Sequence, residues 1–194
     1  KNAIIVGDTM QLPNVVTEEN KKTLNFIANA CLIKPEYDCA NMSFLQSVCK
    51  VIPNIPQTLL REHYRCHPRI INFCNQKFYG GDLVIMTRDK GEEDVICAIR
   101  TAKGNHSRSH MNQREIDVIK EEVLPSLSYE TDEIGVIAPY NKQVDAVKSA
   151  LEEDIDVATV HKFQGREKEA IIMTTVDDVI TSFSDDPNLL NVAV

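Results

Sequence analysis

The densest concentration of reactive side chains lies between Asp156 and Met173, in DVATVHKFQGREKEAIIM. His161, Gln164, Gly165, Arg166 and Glu167 stand there between two apolar, β-branched runs, Val157 to Val160 and Ala170 to Val176. A glycine followed closely by charged residues can bring backbone N–H groups against a phosphate. The plainer alternative is a solvated turn. A second cluster, His63, Cys66 and His67, offers soft ligands for a metal, but no fourth ligand is apparent and a structural zinc site wants four. The six cysteines contain no C-x-x-C pair, so neither a zinc ribbon nor a dithiol redox site is suggested.

The elements that must position these groups follow from periodicity and punctuation. Ala3 to Val6, Leu83 to Met86, Val95 to Ile99 and Ile134 to Ala138 are strand-like runs, and the two runs flanking the Gly165 loop read as buried strands. Helices are expected over about Glu18 to Ala30, about Ser43 to Cys49 and on to about Phe78, the last stopped by Tyr79-Gly80-Gly81. Lys103 to Met111 reads as a loop. Asn112 is then an N-cap with Glu115 three residues on, and the helix it opens should end at Pro125. Pro139-Tyr140 opens a helix with Val144, Val147 and Leu151 inward, and Asp185-Asp186-Pro187 starts a final helical turn. About five strands alternating with helices from Leu83 onward imply an α/β fold, a mostly parallel sheet with helices on both faces. Such sheets place ligands in the loops at the carboxyl ends of their strands. Ile52-Pro-Asn-Ile-Pro56 is the best linker, dividing residues 1 to 55 from 56 to 194.

At 194 residues the chain holds one good core and is short for two complete α/β domains. No apolar run approaches bilayer length and the start lacks a secretory pattern, so an intracellular, cytoplasmic protein with reduced cysteines and no membrane partner is expected. A net charge of −8 argues against a free-standing nucleic-acid-binding domain, though not against a narrow track that grips one strand.

Five blocks fall in one order: Gly7-Asp8-Thr-Met-Gln11-Leu-Pro13, Tyr64-Arg65-Cys-His-Pro68, Ile134-Gly-Val-Ile-Ala-Pro139-Tyr140, Thr159-Val-His-Lys-Phe-Gln-Gly165-Arg-Glu167 and Asn191-Val-Ala193. Together they resemble motifs III to the start of VI of a superfamily 1 helicase. They are most similar to the branch of the nonsense-mediated-decay helicases and their bacterial relatives, which move 5′ to 3′. The resemblance implies a RecA-like fold of the P-loop NTPase type. It makes residues 1 to 55 the tail of a first RecA-like domain and residues 56 to 194 most of a second. The motor of such a helicase clamps ATP between two such domains and moves along single-stranded DNA or RNA.

Site roles are what the resemblance implies. Arg65 should reach the γ-phosphate, where a permanently charged planar fork suits phosphoryl transfer; the bland alternative is a surface arginine paired with Glu62. Tyr64 would stack on adenine, or else pack into the core. Gln11 resembles the γ-phosphate sensor, with Asp8 ordering its loop. Gly165 lets backbone approach the phosphates, and Glu167 accepts from the ribose hydroxyl, the alternative being a solvated charge. Thr159 and His161 would face the nucleic acid, with Pro139, Tyr140 and Asn141 adding backbone contact and stacking.

The P-loop G-x-x-x-x-G-K-[ST] and the acidic motif that holds magnesium do not occur in these residues, so the magnesium ligands are expected in the missing part of the first RecA-like domain and no metal ligand in this one. The isolated chain is accordingly expected to be inactive and the full-length protein to be an ATP-dependent helicase. The family's last motif continues past Asn-Val-Ala to a second phosphate-reading arginine, whereas this chain ends at Val194. Cys66 stands where the family often has Met, a soft apolar exchange. Two rival readings are a catalytically inactive RecA-like adaptor and an oxidoreductase, the latter lacking G-x-G-x-x-G after a strand.

Overall fold

A computed structural model describes residues 2–13, 16–104, 106–151 and 154–194. The chain divides into two units, Lys1–Arg61 and Glu62–Val194, just beyond the proline pair at 53 and 56.

In the first unit, α1 spans Glu18–Ala30 and α2 spans Phe44–Val51. Thr17 caps α1 by accepting from Asn20 N, and Glu18 and Glu19 complement the dipole of its first turn. Ser43 and Gln46 close a reciprocal capping box on α2, at 3.2 and 2.9 Å. Ala3 to Val6 does not form the expected strand. Ile4 and Val6 are 92% and 83% exposed, because an apolar run becomes a strand only where a neighbour takes its backbone hydrogen bonds.

The second unit begins with β1 (Glu62–His63), α3 (Pro68–Phe78) and β2 (Val84–Ile85), with β1 and β2 paired in parallel. His67 caps α3 by accepting from Arg69 N, and Pro68 occupies the first turn, where its missing N–H costs nothing. The helix buries Ile71, Cys74 and Phe78, and the buried Asn75 amide exchanges hydrogen bonds with both backbone groups of Leu83, tying the helix to the start of β2. Val95 to Ile99 is not a strand, and Ile96 and Ile99 are exposed. Instead the region read as a loop contains a hairpin of β3 (Ser107–Arg108) and β4 (Met111–Asn112).

Asn112 caps α4 (Gln113–Val118) as expected, accepting from Glu115 N at 3.3 Å. Pro125 ends the helix to within one residue, since Leu127 is already extended. A π-turn over Ile119–Val123 shifts the register, and Pro125 enters as an early residue of a last turn, α5 (Leu124–Ser126). There its ring and missing N–H disturb no established i→i−4 ladder.

Among the described residues the main sheet has three strands rather than the broader sheet expected: β5 (Ile134–Ala138) lies between β6 (Asp156–Thr159) and β7 (Ala170–Met173), all parallel. The chain thus has a RecA-like α/β fold. Alternate residues of β5 serve opposite faces. Ile134, Val136 and Ala138 pack with Ile116, Ile119, Val144 and Val147 from α4, the π-turn and α6 (Asn141–Ala150). Burying each larger apolar side chain there contributes about 1.5–3 kcal/mol. On the other face Gly135 lies beneath Phe163 of α7 (Val160–Phe163), which packs against α8 (Pro187–Ala193). β7 is not fully buried as expected. Ala170 and Ile172 pack against the core while Ile171 and Met173 are exposed, because this edge strand packs on one face.

A Cβ at Gly135 would stand 2.5 Å from Cζ of Phe163 and 3.0 Å from Cδ1 of Ile171. Phe163 is buried, so its ring cannot swing away. Gly135→Ala is therefore expected to lower stability by about 1–3 kcal/mol, read from the denaturant midpoint.

β7 stops at Met173 rather than Val176, because the next three residues turn to Glu115. The Glu115 carboxylate accepts from the Thr174 hydroxyl, from Thr175 Oγ1 at 3.2 Å and from Val176 N at 3.1 Å. Asn112 Nδ2 donates to Val176 O at 3.0 Å. These bonds hold a fully buried valine at φ +67, a conformation that costs an L-residue roughly 1–2 kcal/mol.

Candidate nucleotide and nucleic-acid site

The loop between β1 and α3 presents Tyr64 and Arg65 because both ends are fastened. His63 Nε2 accepts from Cys66 N at 2.9 Å, and the Thr87 hydroxyl donates to Cys66 O at 2.8 Å. An accepting Nε2 requires a neutral ring. Burial, reinforced by the Arg65 charge, holds the His63 pKa below its ordinary value, which favours that form. Burial also pushes the Cys66 thiol upward, away from reactivity.

Arg65 meets Glu167, not Glu62. Its Nε lies 3.0 Å from Glu167 Oε1, with the two side chains 72% and 68% exposed. Glu62 instead accepts the hydroxyl of Tyr64, which raises the phenol's pKa. Tyr64 is 63% exposed, so it does not pack into the core. The fold thus joins the two loops that carry Tyr64, Arg65 and Glu167. An exposed ion pair is worth only about 0–1 kcal/mol, so Arg65 can exchange Glu167 for another anion at little cost.

Gly165 has φ +81, and a Cβ there would meet nothing within 4 Å. Backbone conformation, not crowding, demands glycine, and the space beside this turn is open. Arg166 is turned away from it, donating to both oxygens of Asp156 at 2.9 and 2.8 Å.

The nucleic-acid candidates gather at the carboxyl edge of the main sheet. Ala138 pairs with Thr159, so Pro139, Tyr140 and Asn141 leave β5 beside the point where His161 follows β6. Thr159 is buried, whereas His161 and Asn141 are exposed. The Tyr140 ring is engaged within the protein, with its centroid 4.4 Å from His110 and 5.3 Å from Phe183, and its hydroxyl donates to Asp177 at 2.7 Å. Sequence reasoning missed His110, Phe183 and Asp177, since nothing in their local pattern marks them; Glu62 reads in the sequence only as a partner for Arg65 and instead holds Tyr64. In the first unit, Asp8 accepts from Met10 N at 2.9 Å and from the Gln11 amide at 3.2 Å, ordering the loop that presents Gln11.

The histidine and cysteine cluster does not converge on a point. Among the described residues, the grouping with metal-ligand spacing is His67, Asp89 and Glu92. His67 Nδ1 accepts from Arg69 N, so in the neutral ring Nε2 carries the hydrogen and has no lone pair for a metal.

Residues 40–194 match the model of the AAA domain family. The chain belongs to this family. Its relatives identify it further as part of a superfamily 1 helicase domain of the nonsense-mediated-decay type. The DNA polymerase alpha-associated DNA helicase A of Saccharomyces cerevisiae is 26% identical over 98% of this chain and 32% of its own length. An uncharacterized ATP-dependent helicase of Methanocaldococcus jannaschii is 28% identical over all of this chain and 30% of its own. The regulator of nonsense transcripts 1 homolog of Arabidopsis thaliana is 26% identical over 89% and 17%. The chain spans about a third or less of the length of these curated relatives. This helicase segment therefore carries the loops with Arg65 and Glu167, while the P-loop sequence does not occur in it.

Proposed function

We propose that the full-length protein hydrolyses ATP to drive movement along, or unwinding of, nucleic acid, and that this segment supplies the face of the ATP site opposite the P-loop. The observation that carries this reading is the 3.0 Å pair of Arg65 with Glu167 beside the exposed ring of Tyr64. An aromatic face, a movable guanidinium, a carboxylate and an open glycine turn are the groups that an adenine, a triphosphate and a ribose require. Tyr64 stacks on the base, held in place by Glu62. Glu167 accepts from the ribose, and Arg65 leaves it to neutralise charge as it develops on the transferred phosphoryl group. Gln11 senses the γ-phosphate, and magnesium is held by residues outside this segment.

Movement follows from a population shift. Arg65 contacts phosphate only when the cleft between RecA-like domains is shut, so ATP favours the closed arrangement and hydrolysis releases it. His161, Pro139 and Asn141 contact a single strand of DNA or RNA, read 5′ to 3′ as in the branch it resembles, and Thr159, which is buried, supports the start of the loop that carries His161. We place the protein in the cytoplasm, in keeping with six free thiols.

The test is ATP turnover by the full-length protein with and without a single-stranded oligonucleotide. Turnover stimulated by the strand is expected, with none from residues 1–194 alone. A full-length protein that binds the strand but shows no turnover is an adaptor, and the reading fails.

A further inference from the structure

The hairpin of β3 and β4 turns through Ser109 and His110, with φ of +51° and +64°. Positive φ at both central residues is the pattern of the mirror-image two-residue turn, which strongly prefers Asn-Gly or Gly-Gly. A serine and a histidine there accept backbone strain that glycine would remove. Such strain persists where surrounding contacts enforce it, and it points to a use for the side chain.

The contacts are present. Asp178 accepts from His106 N at 3.1 Å and Ser107 N at 3.0 Å, clamping the hairpin to the segment after β7. These two bonds hold the Asp178 carboxyl below its ordinary pKa. The turn delivers the His110 ring to 4.4 Å from Tyr140, whose own ring stacks on Phe183 at 5.3 Å with an interplanar angle of 22°. Thr181 and Ser184 bond to each other across a tight turn that presents Phe183. Tyr140 is half-buried and its hydroxyl is committed to Asp177, so it acts as a strut. His110 is exposed and Phe183 is 41% exposed. The available aromatic surface beside Pro139 and Asn141 is therefore theirs.

We infer that His110 and Phe183, braced on Tyr140, form a stacking platform for bases of the single strand whose backbone follows the carboxyl edge of the sheet. This rests on the nucleic-acid reading above and adds to it two residues and a mode of contact. Aromatic rings stack on any base, so the platform grips without reading sequence. Arg108, exposed in the same hairpin with its guanidinium donating to Ser107 O at 2.9 Å, adds positive charge to the platform.

The test uses the nucleotide-free full-length protein, a fluorescent oligothymidylate and an abasic strand of equal length. His110→Gly is expected to weaken binding of the base-bearing strand about five- to a hundredfold and to leave abasic binding unchanged. The same variant is expected to melt at an equal or higher temperature, because glycine relieves the turn. Phe183→Leu, which keeps an apolar contact beneath Tyr140, should show the same base-dependent loss, and His110→Phe should retain binding. Equal affinity of wild type, His110→Gly and Phe183→Leu for the base-bearing strand overturns the inference while leaving the helicase reading intact. A wild-type protein that binds neither strand overturns both.

Discussion

Arg65→Ala in the full-length protein is expected to lower strand-stimulated ATP turnover by about three to five orders of magnitude, the range for a transition-state arginine. Strand binding should be retained. The size follows from where the guanidinium acts: it compensates charge that grows as the γ-phosphoryl group transfers, an effect absent from ground-state binding. Stability should not change, because the exposed pair it forms with Glu167 is worth only about 0–1 kcal/mol. Arg65→Lys should restore little, since an ammonium keeps the charge but not the planar fork. Steady-state turnover beside a melting curve separates the roles. Unchanged turnover in Arg65→Ala removes this residue from the chemistry.

Gln143→Leu is expected to destabilise the second unit by about 2–5 kcal/mol, much of the margin of a typical domain. Gln143 is fully buried at the start of α6. Its Oε1 accepts from Asn112 N at 2.9 Å, and its Nε2 donates to Asn112 O at 3.4 Å and to Thr174 Oγ1 at 3.1 Å. Leucine has nearly the same volume, so no cavity opens, yet it strands the backbone N–H of an asparagine that is itself buried. The damage should spread, because Asn112 caps α4 and holds Val176. Denaturant unfolding measures the loss, and hydrogen exchange at the Asn112 amide locates it. Unchanged protection of that amide in Gln143→Leu contradicts this account.

Residues whose structure depends on their immediate neighbours were legible in the sequence. Asn112 with Glu115 and Asp186-Pro187 each mark a helix start that the structure keeps, and the helix expected over about Glu18 to Ala30 is present. Ile134 to Ala138 read as a buried strand and became the sheet's middle strand, where both edges are paired. The order of the five motifs identified the helicase resemblance. These signals are local: a cap, a periodicity or a breaker acts within one or two turns of its own position.

What the sequence could not determine involves partners far along the chain. Ala3 to Val6 and Val95 to Ile99 have strand composition, but strands exist only in pairs. Glu115 read as a helix-start acid, yet its carboxylate serves the segment after β7. Glu62, next but two to Arg65, was the obvious acid for it, and the fold gave that place to Glu167. The same holds for the loop between Asp156 and Met173. Its chemistry was written in its residue types, but its geometry was not. Only the packing of β6 and β7 against β5, with the β1 loop alongside, brings Glu167 to Arg65 and sets His161 beside Asn141 at the sheet's edge. Local energies select elements, whereas a binding site is made of contacts between elements, and those are decided when the core closes.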